Sequence, residues 1–197
     1  DLTLIRNPIL RPLGEYLFGV LMVQQRAAGG NTSYFLGEVS AAGSHSYFPF
    51  IYLVKEPLAL HVLSLIALLL AITKMLRAGA GKKWREKLAH IRQWAHGHMA
   101  EVACIICIAV YWTFSIRSPL NIGVRHLMPT MPFVYILIAS SVKKLVSSGN
   151  FIKISLKGSL VIILLIWYFG ETLFAAPYYL SYFNQFGGGI ENGYRYV

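Results

Sequence analysis

The 197 residues predict an all-α, polytopic membrane protein with about four transmembrane helices, one outer interfacial helix and one short cytoplasmic amphipathic helix. Three observations lead there. The mean hydropathy is +0.54 and only 13% of residues are charged, about half the usual share of a soluble domain. Four apolar runs, Leu58 to Leu76, Met99 to Ile116, Leu127 to Val142 and Gly158 to Ala176, approach the roughly 30 Å of a bilayer's hydrocarbon core at about 1.5 Å per residue. The net charge of +10 sits in short segments between these runs, where anionic lipid headgroups, rather than nucleic acid, balance it.

No signal-peptide pattern opens the chain and residue 1 is Asp, so the sequence reads as a fragment of a single membrane domain that continues upstream. Leu2, Leu4 and Ile5 mix with Arg6 and Pro8 and cannot make a long span. Pro12 suits a first helical position, and Leu13, Leu17, Val20 and Leu21 recur at helical spacing as far as Arg26. Glu15 and the flanking arginines make that helix interfacial, and Gly29-Gly30 ends it. Residues 31–56 read as a polar and aromatic loop, completing an outer segment over 11–56. Its Tyr34, Phe35, Tyr47, Phe48, Phe50 and Tyr52 suit a membrane-interface belt.

Pro57 opens the first apolar run, which carries His61 near its start. Beyond that run, Trp84, Leu88, Ile91 and Ala95 repeat at helical spacing among basic residues, as in a helix lying on anionic lipid. His90, His96 and His98 match no strong zinc spacing and lack thiolate or carboxylate partners, so they read as a solvated face rather than a metal site. Cys104 and Cys107 lie inside an apolar run and read as packed thiols, not as a redox pair. Of the 18 Lys and Arg, eleven fall in residues 74–98 and 143–157. The positive-inside rule makes those loops cytoplasmic and places residues 1–56, 117–126 and the segment 177–197 outside.

The stretch Asn121 to Tyr135 sets Arg125 beside His126 at the mouth of an apolar run, behind Gly123 and ahead of Pro129 and Pro132. A guanidinium at such a place faces protein, water or an anion, because insertion near hydrocarbon costs roughly 2.5 to 3.5 kcal/mol at a helix centre. The simplest reading is an anchor to lipid phosphates. Transporters instead place ionisable groups deep in the membrane, and the only deep ones in these runs are His61 and Glu171.

Three outer segments stand in order: Tyr47-Phe-Pro-Phe-Ile-Tyr-Leu-Val-Lys-Glu-Pro57, Gly123-Val-Arg-His-Leu-Met-Pro-Thr-Met-Pro-Phe133, and Tyr178-Tyr-Leu-Ser-Tyr-Phe-Asn-Gln-Phe-Gly-Gly-Gly189 continuing to Tyr196. Together they resemble the phospholipid-carrier-dependent glycosyltransferases of family 39, related to protein O-mannosyltransferases, over about residues 12 to 197. The resemblance implies a GT-C membrane fold, a multi-pass protein of the plasma (inner) membrane, and a role in the cell envelope or in protein glycosylation. It implies sugar transfer from a polyprenyl-phosphate donor to a protein, lipid or glycan acceptor on the outer face, with the sugar-carrying lipid as co-substrate and no further cofactor, a divalent metal being left open. The family's catalytic carboxylate is expected upstream of residue 1, so the catalytic residues of this chain are unknown and Asp1 is not assigned.

Such a donor joins an apolar tail to an anionic head. Arg125 offers a bidentate fork for the phosphate, Lys55 a point charge, and His126 a hydrogen bond to phosphate or sugar. Tyr47 and Tyr52 are candidates to stack on a sugar, and Glu56 to contact sugar or acceptor. The rival class is a non-enzymatic transporter or flippase half that handles polyprenyl-linked or anionic lipids.

Overall fold

A computed structural model describes residues 7–81, 83–147 and 151–196. Asp1 to Arg6 and Lys82 lie outside these residues. The protein is mostly helical, and three of its helices are long and apolar enough to cross a membrane. Helix α1 is Arg11–Gly29, with Arg11 Nε donating to Glu15 Oε1 across one turn at 2.8 Å. Only Gly14 is buried in it, so α1 stands largely clear of the bundle with its apolar residues uncovered.

The predicted loop over 31–56 is more ordered than expected. It holds an antiparallel hairpin, β1 Ser33–Phe35 and β2 Glu38–Ser40, with Tyr34 paired to Val39. Leu36 and Gly37 make its two-residue turn with φ of 51° and 95°, the doubly positive geometry that matches the twist of paired strands. The loop also holds α2, Tyr47–Lys55. Pro49 falls in its first turn, where a missing N–H removes no helical bond. Tyr47, Phe48, Ile51 and Val54 then recur at helical spacing and are all buried. Their aromatic character disguised a core-facing helix as an interface belt.

Glu56 precedes Pro57, and proline's ring disfavours a helical residue before it. Glu56 is accordingly extended (φ −90°, ψ 147°), α2 ends at Lys55, and α3 begins at once as Leu58–Gly79. Then follow the amphipathic α4, Trp84–Gly97, and α5, Met99–Arg117, both close to expectation. A 3₁₀ helix, Val124–Thr130, leads into α6, Met131–Val146, and α7 is Phe151–Ala175. Short 3₁₀ turns at Tyr179–Ser181, Gln185–Gly187 and Ile190–Arg195 complete the chain.

The third apolar run therefore starts its α-helix at Met131, not Leu127. Pro129 and Pro132 explain the shift, since neither can donate the i to i−4 bond that would carry an α-helix back through 127. The resulting α6 has 16 residues, about 24 Å. The windows long and apolar enough to span are Leu58–Arg77, Met99–Arg117 and Leu156–Ala175, in which only 11% to 22% of residues are buried. Apolar side chains such as Leu68, Leu69, Ile106, Ile162 and Ile166 point outward. Aqueous solvent would leave this collar uncovered, whereas lipid tails satisfy it.

Inside the bundle, α6 touches α3, α5 and α7. Leu60, Leu63 and Ala67 of α3 meet Ile138 of α6 and Leu164 of α7. A second core lies at the end where α3 starts and α5 finishes, where Tyr47, Phe48 and Ile51 of α2 close on Leu127. Phe48 and Leu127 are both 0% exposed, and each contributes about 1.5 to 3 kcal/mol through burial.

Asn184 joins the C-terminal segment to this second core. Its backbone N donates to Val54 O at 2.8 Å, and its Nδ2 donates to Leu53 O at 2.6 Å and Glu56 O at 2.7 Å. Its Oδ1 accepts from Phe186 N and Gly187 N. The last carbonyls of α2 have no helical partners, and this side chain supplies them. Asn184→Asp keeps the shape but replaces two donors with an acceptor, which orphans Glu56 O at a loss of about 1 to 3 kcal/mol and leaves Leu53 O only the His61 ring. Amide hydrogen exchange is expected to speed up at least tenfold over 180–193 while α3 and α7 stay protected; unchanged protection would show that Asn184 carries little of the docking.

Candidate functional site

A cleft of about 480 Å³ opens between α2, the Ile122-Gly123 turn and the C-terminal segment. The face of α2 spaced by four residues, Tyr47, Ile51 and Lys55, forms one wall. Leu180, Ser181, Phe183 and Tyr194 form the other. The chain folds this way locally because the Glu56-Pro57 elbow stops α2 beside the start of α3, and Asn184 then lashes the returning segment to that stop.

Lys55 is the cation of this cleft. Its Nζ donates to Leu180 O at 2.7 Å and stands 3.7 Å from the centre of the Phe183 ring. Burial lowers its pKa, which marks an ammonium that has lost part of its water and gains from an anion. The Phe183 ring in turn lies against Gly187 and Gly193. A Cβ at Gly193 would overlap the ring, so glycine there lets the backbone approach and holds the ring beneath the ammonium.

Arg125 is exposed, with Nε donating to Ile122 O at 3.0 Å. Among the described residues no carboxylate pairs with it. It lies near enough to Tyr47 to lower that hydroxyl's pKa against the larger, raising effect of burial. The structure thus brings Tyr47, Lys55 and, through Gly123, the Arg125 turn to one place.

The other candidates are placed elsewhere. His126 rests between the Phe48 and Tyr111 rings, at 5.3 and 5.6 Å, and burial lowers its pKa. Tyr52 turns to the opposite side of α2, edge-on to His61 and Trp112, with its pKa pushed up to about 12 by burial and secondarily by Glu56. Tyr47 is only 3% exposed, with Phe35 and Phe48 packed against it at 5.3 Å. Neither tyrosine offers an open ring face in this arrangement. Glu56 sits at the elbow, on the Tyr52 side. Among the described residues no three His, Cys, Asp or Glu side chains converge to hold a metal ion.

His61 and Glu171, the two deep ionisable groups, have local partners. His61 Nε2 lies 3.1 Å from Leu53 O. Glu171 accepts from Trp167 Nε1, Gln185 Nε2 and Tyr182 OH at 2.9, 2.7 and 3.3 Å. This carboxylate therefore ties α7 to the C-terminal segment.

Sequence reasoning quoted the stretch from Tyr178 to Tyr196 but gave Phe183, Asn184, Gly193 and Tyr194 no role. A signal was present. One Asn between aromatics, followed by glycines that an exposed tail has no need of, marks a segment that must pack closely against something else.

No family model, curated protein or solved structure matches this chain. Fold and composition define a mostly helical protein with three helices long and apolar enough to cross a membrane and a cleft, lined by the ammonium of Lys55, at one end of its bundle.

Burial pushes the Glu56 carboxyl from 4.5 to about 7. A folded-state pKa above the unfolded one means stability that is complete below pH 4.5 and is lost as pH rises through about 7. His126, with its lowered pKa, acts with the opposite sign. Melting temperature is therefore expected to fall between pH 4.5 and 7 by an amount that Glu56→Gln abolishes. An identical pH profile in that variant would place the carboxyl in solvent.

Proposed function

We propose that this chain belongs to a membrane glycosyltransferase that moves a sugar from a polyprenyl-phosphate donor to a protein, lipid or glycan acceptor at the outer face of the membrane. The observation that carries the reading is a half-buried ammonium, Lys55, inside a cleft at the end of an apolar bundle, with an exposed guanidinium, Arg125, two residues beyond the Gly123 that lines it and bonded to the carbonyl of Ile122 on the same wall. A polyprenyl phosphate needs that combination: a surface for its tail and fixed cations where the tail ends. The order of the three segments that build the cleft supports it further, because they are the segments that resemble family 39.

In this reading the third apolar run, from Leu127, makes a fourth crossing. The 16 α-helical residues of α6 supply about 24 Å, and Leu127 to Thr130 at the end of the 3₁₀ helix, at about 2 Å each, supply the rest, which leaves Arg125 and His126 at its outer mouth. The cleft faces outward and α4 lies on the cytoplasmic surface. The transporter alternative calls for ionisable groups free to bind cargo, and His61 and Glu171 instead hold Leu53, Trp167, Tyr182 and Gln185.

Orientation is tested by single cysteines in a Cys-free background. A thiol at His45 is expected to react with an impermeant reagent in intact cells and one at Leu88 only after lysis; the reverse pattern turns the protein over and removes the outer-face site.

Phosphate binding is tested at Arg125. Arg125→Ala in the full-length protein is expected to weaken donor binding roughly ten- to a hundredfold, the loss of a charged hydrogen bond worth about 1.5 to 3 kcal/mol. Arg125→Lys should recover part, since a point charge cannot reproduce the fork. Parental donor affinity and transfer rate in Arg125→Ala would leave the residue as a lipid anchor only.

A further inference from the structure

We infer that Tyr194 is the sugar-stacking residue of the cleft, so that the C-terminal segment selects the donor's sugar while Lys55 and Arg125 hold its phosphate. This inference rests on the transferase reading. It starts from geometry: the two tyrosines best placed by sequence have no open face, whereas Tyr194 lines the same cleft and is 69% exposed. A large aromatic ring left that open beside a basic cleft has its apolar face free for the C–H face of a pyranose, while its rim and neighbours meet the sugar hydroxyls.

The turn that carries the ring is held in place, while the ring itself, among the described residues, touches only its neighbour Arg195. Arg195 Nε donates to Tyr194 OH at 3.4 Å, and its guanidinium stands 5.8 Å from the ring centre. The 3₁₀ turn that carries both residues is fixed by the hairpin, since Tyr34 OH donates to Arg195 O and Leu36 N donates to Tyr196 O, both at 3.2 Å. Phe50 of α2 packs on Tyr196 at 5.4 Å. Gly193, pressed on Phe183, sets the turn beside the ring under Lys55. One short segment thereby couples the position of the exposed ring to the position of the cleft's ammonium. Ser181, on the same wall, adds a hydroxyl that a stacked sugar can reach.

A stacking platform predicts a ligand-specific loss. The full-length protein in lipid nanodiscs is titrated with citronellyl phosphate and with its mannosyl and glucosyl esters. The parental protein is expected to bind one ester more tightly than the bare phosphate. Tyr194→Ala should erase that preference, a drop on the order of tenfold or about 1.4 kcal/mol, while leaving the bare phosphate's affinity unchanged. Tyr194→Trp, which keeps a ring face, should restore it. Arg125→Ala should weaken all three ligands alike, which separates the phosphate site from the sugar subsite. A preference that survives Tyr194→Ala, or a parental protein that binds ester and bare phosphate equally, overturns the subsite while leaving the phosphate site standing. Failure of the parental protein to bind any of the three overturns the transferase reading and the subsite with it.

Discussion

Helix α2 ends at one end of the bundle with its last carbonyls turned away from any helical partner, and almost everything at that end of the molecule follows from how they are satisfied. Proline at position 57 forces the stop. Leu53 O, Val54 O and Glu56 O are then left to find donors, and Asn184 supplies all three from a segment 128 to 131 residues away in sequence. A buried carbonyl left without a donor costs about 1 to 3 kcal/mol, and of the three only Leu53 O has a second partner, the His61 ring at 3.1 Å. The ion pairs Arg11–Glu15 and Lys144–Glu101 reach solvent, where screening and side-chain entropy leave such contacts little net worth.

That docking makes the cleft. Without it α2 presents Tyr47, Ile51 and Lys55 to solvent as a bare stripe; with it, Phe183 slides beneath the Lys55 ammonium and Tyr194 rises on the far side. Glu171 reinforces the arrangement from α7, where three donors converge on its carboxylate. A carboxyl this close to an apolar bundle needs hydrogen-bond partners to offset its lost hydration. The polar network is thus spent on fixing a segment, and the cations of the cleft remain available.

Much of this was legible in the residues. Apolar runs with lipid-length spacing located α3, α5 and α7, and the basic helical stripe Trp84 to Ala95 located α4, because one-dimensional hydropathy and helical periodicity are local properties. The start of the α-helix at Met131 rather than Leu127 has a local cause too: a continuous apolar run hid two prolines whose missing donors shorten α6. The hairpin and α2 were missed for a different reason. Tyr34, Phe35, Tyr47 and Phe48 have the composition of a membrane belt and also of a small core, and only the tertiary partners Leu127 and Val124 distinguish the two. Arg125 was singled out by its place at the mouth of an apolar run, and Lys55 as a point charge for the anionic head that the resemblance implies. Asn184 and Tyr194 were not, since their roles depend on contacts with residues more than a hundred positions away, which no spacing rule records.

The central claim is that an anionic polyprenyl lipid seats its phosphate in the cleft between α2 and the C-terminal segment. A polyprenyl-phosphate sugar carrying a diazirine on the isoprene unit next to the phosphate, photolysed on the full-length protein in native membranes and mapped by mass spectrometry, reads that location directly. Adducts are expected within residues 47–55, 122–126 and 180–194 and should vanish when unlabelled donor is added in excess. Competable adducts confined to α4, to the start of α5 or to the end of α6 would contradict the claim.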